Sequence, residues 1–307
     1  MEQNVIVLMS TYNGEPYLQA QLESILQQTY KGNITVLIRD DGSSDATADI
    51  VSKYPQQDNR SMQLIKASNV GPQHSFLELI RLAPKADFYF FADQDDVWDA
   101  DKIETAVAAM GQQDMPVCYC SNFRHTDTDL TVYEEKALQE APVFTPLQVI
   151  FYNQIPGCVM GFNWALMALL QKMQLDSVMM HDSMALSLAA ACGKVLYDPA
   201  PRICHRIHGG NVVGHGHKKI VPHKWIAEKI HLLLTKEDYD LSAMAAQFLA
   251  VAEDQMHPEY LKDITLLRDF KKSRSATRML LRHPDTQGSL TDRTVLSIRC
   301  KIFFHLF

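Results

Sequence analysis

Three carboxylates, Asp93, Asp95 and Asp96, fall within four residues at the end of the apolar run Phe88-Tyr89-Phe90-Phe91-Ala92. Charges this close repel one another, so a folded chain keeps them together only where solvent or a bound cation screens them. Oxygen ligands with no His or Cys nearby suit a hard divalent ion, Mg²⁺ or Mn²⁺, and Mg²⁺ completes its shell with water and substrate phosphates. The stretch therefore predicts a metal–phosphate site. A solvated acidic turn with Asp99 capping the next helix would use the same residues, which alone leave the two readings open. A second acidic group is Asp40-Asp41-Gly42-Ser43-Ser44-Asp45, and a third is the pair His181-Asp182. Asp45 suits a helix cap, and Asp41-Gly42 could be Asx-turn chemistry. Five histidines fall between 205 and 223 (His205, His208, His215, His217, His223), but their spacing fits no closed zinc pattern with Cys.

The elements that must position these groups follow from the apolar pattern. Val5-Ile6-Val7-Leu8-Met9 reads as a strand buried on both faces, followed by the turn Ser10-Thr11-Tyr12-Asn13-Gly14 and a helix carrying Leu18, Leu22, Ile25 and Leu26. Three more units repeat the plan: strand 34–38 with helix 46–54, strand 62–65 with helix 74–82, and strand 88–92 with a helix from Asp99 to about Met110. Four such units imply a mostly parallel sheet with helices on both faces, a Rossmann-like α/β fold. Ligands of such sheets bind outside the carboxyl ends of the strands, where both acidic loops fall. Beyond Val117–Ser121 the pattern predicts a polar hairpin over 122–135 and a short strand near Gly157-Cys158-Val159-Met160-Gly161-Phe162-Asn163. Helices over 164–173 and 183–192, strands at 194–197 and 203–208, and a helical remainder from Pro222 complete it.

The signals come in an order: Thr-Tyr-Asn-Gly after the first strand, Asp-Asp-Gly-Ser-Ser-Asp after the second, and Asp-Gln-Asp-Asp-Val-Trp after the fourth. Gly-Cys-Val-Met-Gly-Phe-Asn and His-Asp follow. Over about residues 3–215 this set resembles family 2 of the inverting glycosyltransferases, which have the GT-A fold, and Arg206-Ile207-His208-Gly209-Gly210-Asn211-Val212-Val213-Gly214 is similar to the rhamnosyltransferase branch. The resemblance implies a GT-A domain over 1–216 and a C-terminal helical region over 217–307. It implies that Thr11, Asn13, Asp40, Asp41 and Asp93 hold the donor nucleoside, and that Asp93 and Asp95 bind a divalent cation at its diphosphate. His208 would meet the metal or that diphosphate. Gly157, Asp96, Trp98 and His181 would surround the donor or acceptor sugar, with Asp96 orienting either the site or the acceptor. The catalytic base would be Asp182, in a His-Asp pair where the common pattern has Glu-Asp; from the residues alone Asp182 also reads as a plain N-cap. The implied partners are a dTDP- or UDP-sugar donor and a glycan or lipid-linked acceptor, with L-rhamnose as the transferred sugar.

Composition sets the remaining bounds. The 307 residues, 47% apolar and 21% charged, are those of a globular chain, and a net charge of −7 argues against a nucleic-acid partner. Residues 217–307 depart from the rest, with 15 Lys and Arg against 11 Asp and Glu. Their last segment, Val295 to Phe307, mixes basic and aromatic residues as membrane-surface helices do, and it would equally serve as a core helix or a contact between copies in a homo-oligomer. Lys218, Lys219 and Arg206 are further candidates for phosphate. Six cysteines without a C-x-x-C pair, and a first strand with no signal sequence before it, predict free thiols and a cytoplasmic protein, peripheral at most to the inner face of a membrane. Two other functions share the carboxylate chemistry. A metal-dependent nucleotidyltransferase is disfavoured by the lack of a glycine-rich phosphate loop. A non-catalytic nucleotide-sugar or glycan binding protein would need no base.

Overall fold

The computed structural model describes residues 3–54, 59–174, 179–209, 239–287 and 292–307. His215, His217, His223, Lys218, Lys219 and the helical stripe expected from Pro222 through Leu233 lie outside these residues. The chain divides into two compact units, the first formed by Met1–Pro142, Ile155–Gln171 and Lys194–Asn211, the second by Val143–Gln154, Lys172–Gly193 and Val212–Phe307. The second unit thus takes two segments from the middle of the chain that the sequence places within 1–216.

In the first unit the β-branched run becomes β1 (Asn4–Thr11), with Val5 to Met9 all buried. It pairs in parallel with β2 (Asn33–Asp40) and β4 (Phe88–Ala92), and β2 pairs in parallel with β3 (Arg60–Lys66). The connecting helices are α1 (Leu18–Leu26), α2 (Thr47–Ser52) and α3 (Pro72–Leu82). This half is the parallel sheet the sequence predicts. The other half is mixed: β8 (Met160–Asn163) runs antiparallel between β4 and β6 (Val117–Thr126), and β9 (Lys194–Arg206) runs parallel to β6. The expected hairpin exists, as β7 (Val132–Glu134) pairs antiparallel with β6.

Two expectations need correction here. The helix placed from Asp99 begins at Lys102, as α4 (Lys102–Met110), because Val97-Trp98 forms a two-residue strand, β5, against Ile203 and Cys204 of β9. Asp99 caps nothing: its carboxylate receives both guanidinium nitrogens of Arg124, at 2.9 and 3.0 Å. The two strands expected at 194–197 and 203–208 are one, since β9 passes through Pro199 and Pro201 by shifting its register against β6 between Ser121 and Arg124. Proline is tolerated in a strand at such irregularities.

All five residues of β4 are buried, so the acidic loop starts from a fixed base. Gly161 of β8 makes that packing feasible, because a Cβ there would lie 2.5 Å from the Phe90 ring. In the second unit α5 (Pro146–Tyr152) packs on α7 (His181–Cys192), and α8 (Leu241–Ala252), α9 (Pro258–Asp269), α10 (Arg274–Arg282) and α11 (Asp292–Phe303) follow α6 (Trp164–Lys172) and α7 in the chain. Its core includes Phe248, Ile264, Leu267 and Phe270. No helix among the described residues is long and apolar enough to cross a membrane. Gly161→Ala is expected to destabilise the chain by about 1–3 kcal/mol through overpacking against Phe90. A urea titration checks this, and an unchanged midpoint would contradict the close approach.

Candidate functional site

The loops after β1, β2 and β4 meet at the carboxyl edge of the sheet. Asn13, with φ 46°, adopts the left-handed conformation that Asn tolerates, and its Oδ1 accepts the Ser44 amide at 2.9 Å. Its own amide donates to Ser43 Oγ at 2.9 Å, and the Gly14 amide to Thr47 Oγ1 at 2.8 Å. Thr11 Oγ1 donates to Asp40 Oδ1 at 3.1 Å, while Asp40 also accepts the Ser43 amide and hydroxyl. Asp41 pairs with the buried Arg39 and accepts the Val70 and Gly71 amides, which makes it a brace between β2 and the turn before α3. Asp45 is not the N-cap of α2, which is Ala46; it stands one residue earlier and its Oδ1 accepts the amide of Thr47, the first helical residue, at 3.0 Å.

The acidic stretch is fastened to this loop cluster by side chains that the sequence reading passed over. Gln94 pairs with the Tyr12 backbone twice, accepting its N–H at 2.9 Å and donating to its carbonyl at 3.0 Å. A Cβ on Gly14 would lie 2.2 Å from Gln94 Oε1, so a larger residue there would push that amide off Tyr12. From α1, the buried Gln21 donates to the Asp93 carbonyl at 3.0 Å, and Ser24 Oγ accepts the Trp98 amide at 3.1 Å. The signal for Gln21 was available as an amide on the apolar face of a helix, where a buried polar group needs a partner.

The expectation of an oxygen-only cluster is corrected by β9, whose end brings two histidines to the carboxylates. His208 Nε2 lies 2.7 Å from Asp95 Oδ2, and His205 Nδ1 lies 2.9 Å from Asp96 Oδ1. The Arg206 amide also donates to Asp96 Oδ1, its Nε donates to the Asp95 carbonyl at 2.8 Å, and its guanidinium lies over the Tyr17 ring. Tyr17 in turn stacks on His208 with ring centroids 4.7 Å apart. Burial and the neighbouring Asp96 push the Asp95 carboxyl up from its usual range, against the opposing pull of His208. Burial works against the proton of His205, yet Asp96, Asp93 and Asp95 together raise it to about 9.

Behind the loop the interior stays polar. Asp96 is wholly buried, and its Oδ2 has no hydrogen-bond partner among the described residues. Cys158, following Gly157 in a buried 3₁₀ turn, places its sulfur 3.9 Å from His205 Nδ1. Trp98 is buried, with the ammonium of the equally buried Lys102 3.9 Å from its ring centroid. Burial lowers Lys102 to about 7, opposed by Cys158 and Asp96. Nothing in the sequence pattern marked Lys102, the first residue of an ordinary amphipathic helix.

Among the described residues the ligand atoms that gather within 4.8 Å of one another are those of Asp96, Cys158 and His205, with the Asp95–His208 pair offering a further carboxylate and imidazole. A cation held among them would relieve the repulsion that Asp95 and Asp96 bear in a buried setting.

His181 and Asp182 belong to the second unit. The helix expected from Ser183 begins at His181, so Asp182 is not its N-cap, which is Met180; it stands in the first turn, where the helix dipole favours a carboxylate. Asp182 Oδ1 accepts the Ser183 amide at 2.5 Å. His181 is wholly buried, and burial lowers its pKa to about 3.

Against known proteins, the sequence profile of glycosyl transferase family 2 matches residues 6–173, more than half of the chain. The chain belongs to glycosyl transferase family 2. It is 31% identical over 165 residues to the putative glycosyltransferase EpsH of Bacillus subtilis, covering 52% of this chain and 45% of EpsH. It is 27% identical over 220 residues to the dTDP-rhamnosyl transferase RfbG of Shigella flexneri, covering 67% of this chain and 73% of RfbG. The chain spans about half the length of several curated relatives it matches. Among solved structures, the mannosyltransferase PcManGT from Pyrobaculum calidifontis, in complex with GDP-Man and Mn²⁺, superposes with a TM-score of 0.57 at 18% identity, covering 99% of this chain and 88% of PcManGT. The fold of this family 2 chain is GT-A.

The folded state holds His181 neutral, whereas an unfolded histidine takes a proton below about pH 6.5. Its contribution to stability is therefore complete above pH 6.5 and falls by about 1.4 kcal/mol per unit as the pH drops toward 3. Urea midpoints at pH 7, 6 and 5 should show this slope in the native chain relative to His181→Gln; a constant difference between the two would contradict it.

Proposed function

We propose that this family 2 chain is a metal-dependent inverting glycosyltransferase that moves a sugar from a nucleotide-sugar donor, dTDP- or UDP-linked, to a hydroxyl of a growing cell-surface or lipid-linked glycan. The observation that carries the reading is the Asp95–His208 pair, 2.7 Å apart, at the sheet edge where the Asn13 and Asp40 loops converge. PcManGT, of the same fold, was solved with a nucleotide sugar and Mn²⁺, which supports both a donor of that class and a divalent cation here. L-rhamnose is the favoured sugar, supported by the name of RfbG and by the residues Arg206 to Asn211.

In this account Thr11, Asn13 and Asp40 receive the nucleoside, with Asp41 keeping their loop in place. Asp93, Asp95 and His208 would hold the cation, which would supply stabilisation of negative charge on the departing diphosphate. Asp96 sets the direction of His205 behind them, and Gly157 and Trp98 shape the sugar site. Asp182 accepts the proton of the acceptor hydroxyl as that oxygen bonds to the anomeric carbon from the face opposite the diphosphate. The carbon–oxygen bond to phosphate breaks, and the nucleoside diphosphate leaves. The enzyme would work in the cytoplasm beside the inner face of a membrane.

Thermal unfolding of the native chain with a panel of nucleotide sugars tests the donor class, because a ligand bound only by the folded state raises its stability. A dTDP- or UDP-sugar should raise the midpoint with Mn²⁺ and not after chelation; a rise indifferent to chelator would sink the metal assignment. Asp182→Asn should keep donor binding while turnover falls by roughly 10²–10⁴-fold. Full turnover in that variant would remove Asp182 from its role.

A further inference from the structure

The last two helices of the second unit carry a surface that the transfer reaction does not use. Arg274, Arg278 and Arg282 of α10 are all exposed. Four-residue spacing advances about 40° per step, so they form one stripe along the helix. Ala276 and Leu280 point the opposite way, into the unit, and Thr277 is buried at the side. No acidic residue occurs between Asp269 and Asp285. Lys271 in this segment is paired with Asp240 at 2.8 Å, whereas none of the three arginines has a carboxylate partner among the described residues.

At the end of α11, the helix packed on α10, two aromatic rings stand in water. Phe303 and Phe304 are 62% and 55% exposed, edge to face with centroids 5.0 Å apart. The chain that carries them is anchored to α10: Arg299 Nη1 donates to the Leu281 carbonyl at 2.9 Å, and His305 Nε2 lies 3.4 Å from Thr277 Oγ1. These contacts hold α11 and the residues just after it against α10. No acidic residue follows Asp292.

The geometry points to this arginine stripe of α10 and the exposed Phe303–Phe304 pair at the end of the adjoining α11 as a docking surface for an anionic phospholipid bilayer. Guanidinium groups without carboxylate partners attract anionic headgroups, while exposed rings gain by entering the boundary between headgroup and acyl chain. Both features on adjoining elements fit a charged apolar boundary better than a water-facing surface. The inference rests on the reading that the enzyme works beside a membrane, and it is tested without donor or turnover, so that its failure and the failure of the transferase reading are distinguishable.

The experiment is co-sedimentation of the full chain with phosphatidylcholine vesicles with and without 30% phosphatidylglycerol. Partition should be at least tenfold stronger to the anionic vesicles and should fall at least tenfold in Arg274→Glu/Arg278→Glu/Arg282→Glu. Phe303→Ser/Phe304→Ser should weaken it severalfold while nucleotide-sugar stabilisation stays as in the native chain. High salt applied to the native chain should release it, a readout that does not depend on any variant folding. Equal partition to neutral and anionic vesicles, or none to either, would overturn the proposal. So would a dimer seen by sedimentation equilibrium that Phe303→Ser/Phe304→Ser abolishes in a chain that ignores vesicles, since a second copy would then cover the rings.

Discussion

Asp95 and Asp96 are adjacent, both buried, and each would be untenable beside the other without an opposing charge. Much of the first unit can be understood as the means of keeping them together. β9 ends by setting His205 against Asp96 and His208 against Asp95, and Arg206 between them holds the Asp95 carbonyl and the Asp96 carboxylate. That explains why a two-residue strand, β5, interrupts the expected helix: pairing Val97 and Trp98 with Cys204 and Ile203 sets the register at which the histidines meet the carboxylates. The same constraint accounts for Gln94, whose two bonds to Tyr12 tie the acidic loop to the loop after β1.

The arrangement leaves a polar interior behind the loop. Asp96 Oδ2, Trp98 Nε1 and Lys102 Nζ are all buried without a hydrogen-bond partner among the described residues. Lys102, lying over Trp98 and Phe90, supplies positive charge on the inner side, as His205 does on the side of β9. An unsatisfied buried polar group is destabilising, so their retention beside a candidate site is the pattern expected where stability is exchanged for a fixed electrostatic setting.

The sequence made the first half of the fold legible because its strands are continuous apolar runs and its loops carry polar residues at each strand's end. Those runs predict a mostly parallel sheet, while its order β3-β2-β1-β4 comes from the structure alone. The second half was less legible for a physical reason: β5 and β8 are too short to show a period, and β9 crosses two prolines that normally end a strand. Asp93, Asp95 and Asp96 were found as a group, but their histidine partners lie more than a hundred residues away, and only the register of β9 joins them. Lys102, Gln21 and Gln94 carry no motif; each acts through a backbone or ring contact that spacing does not encode. Asp41 shows the converse. Its place in a motif suggests a ligand contact, whereas its bonds to Arg39, Val70 and Gly71 are those of a loop brace.

The proposed role of Asp95, paired with His208, in holding a divalent cation against a bound diphosphate is tested most directly by the ³¹P spectrum of a nucleoside diphosphate, UDP or dTDP, bound to the chain as Mn²⁺ is added. Both phosphorus signals should broaden at substoichiometric Mn²⁺ in the native chain, and Asp95→Asn, still folded, should lose the broadening attributable to the bound nucleotide. Equal broadening in the two proteins would contradict it, because the metal would then be held without Asp95.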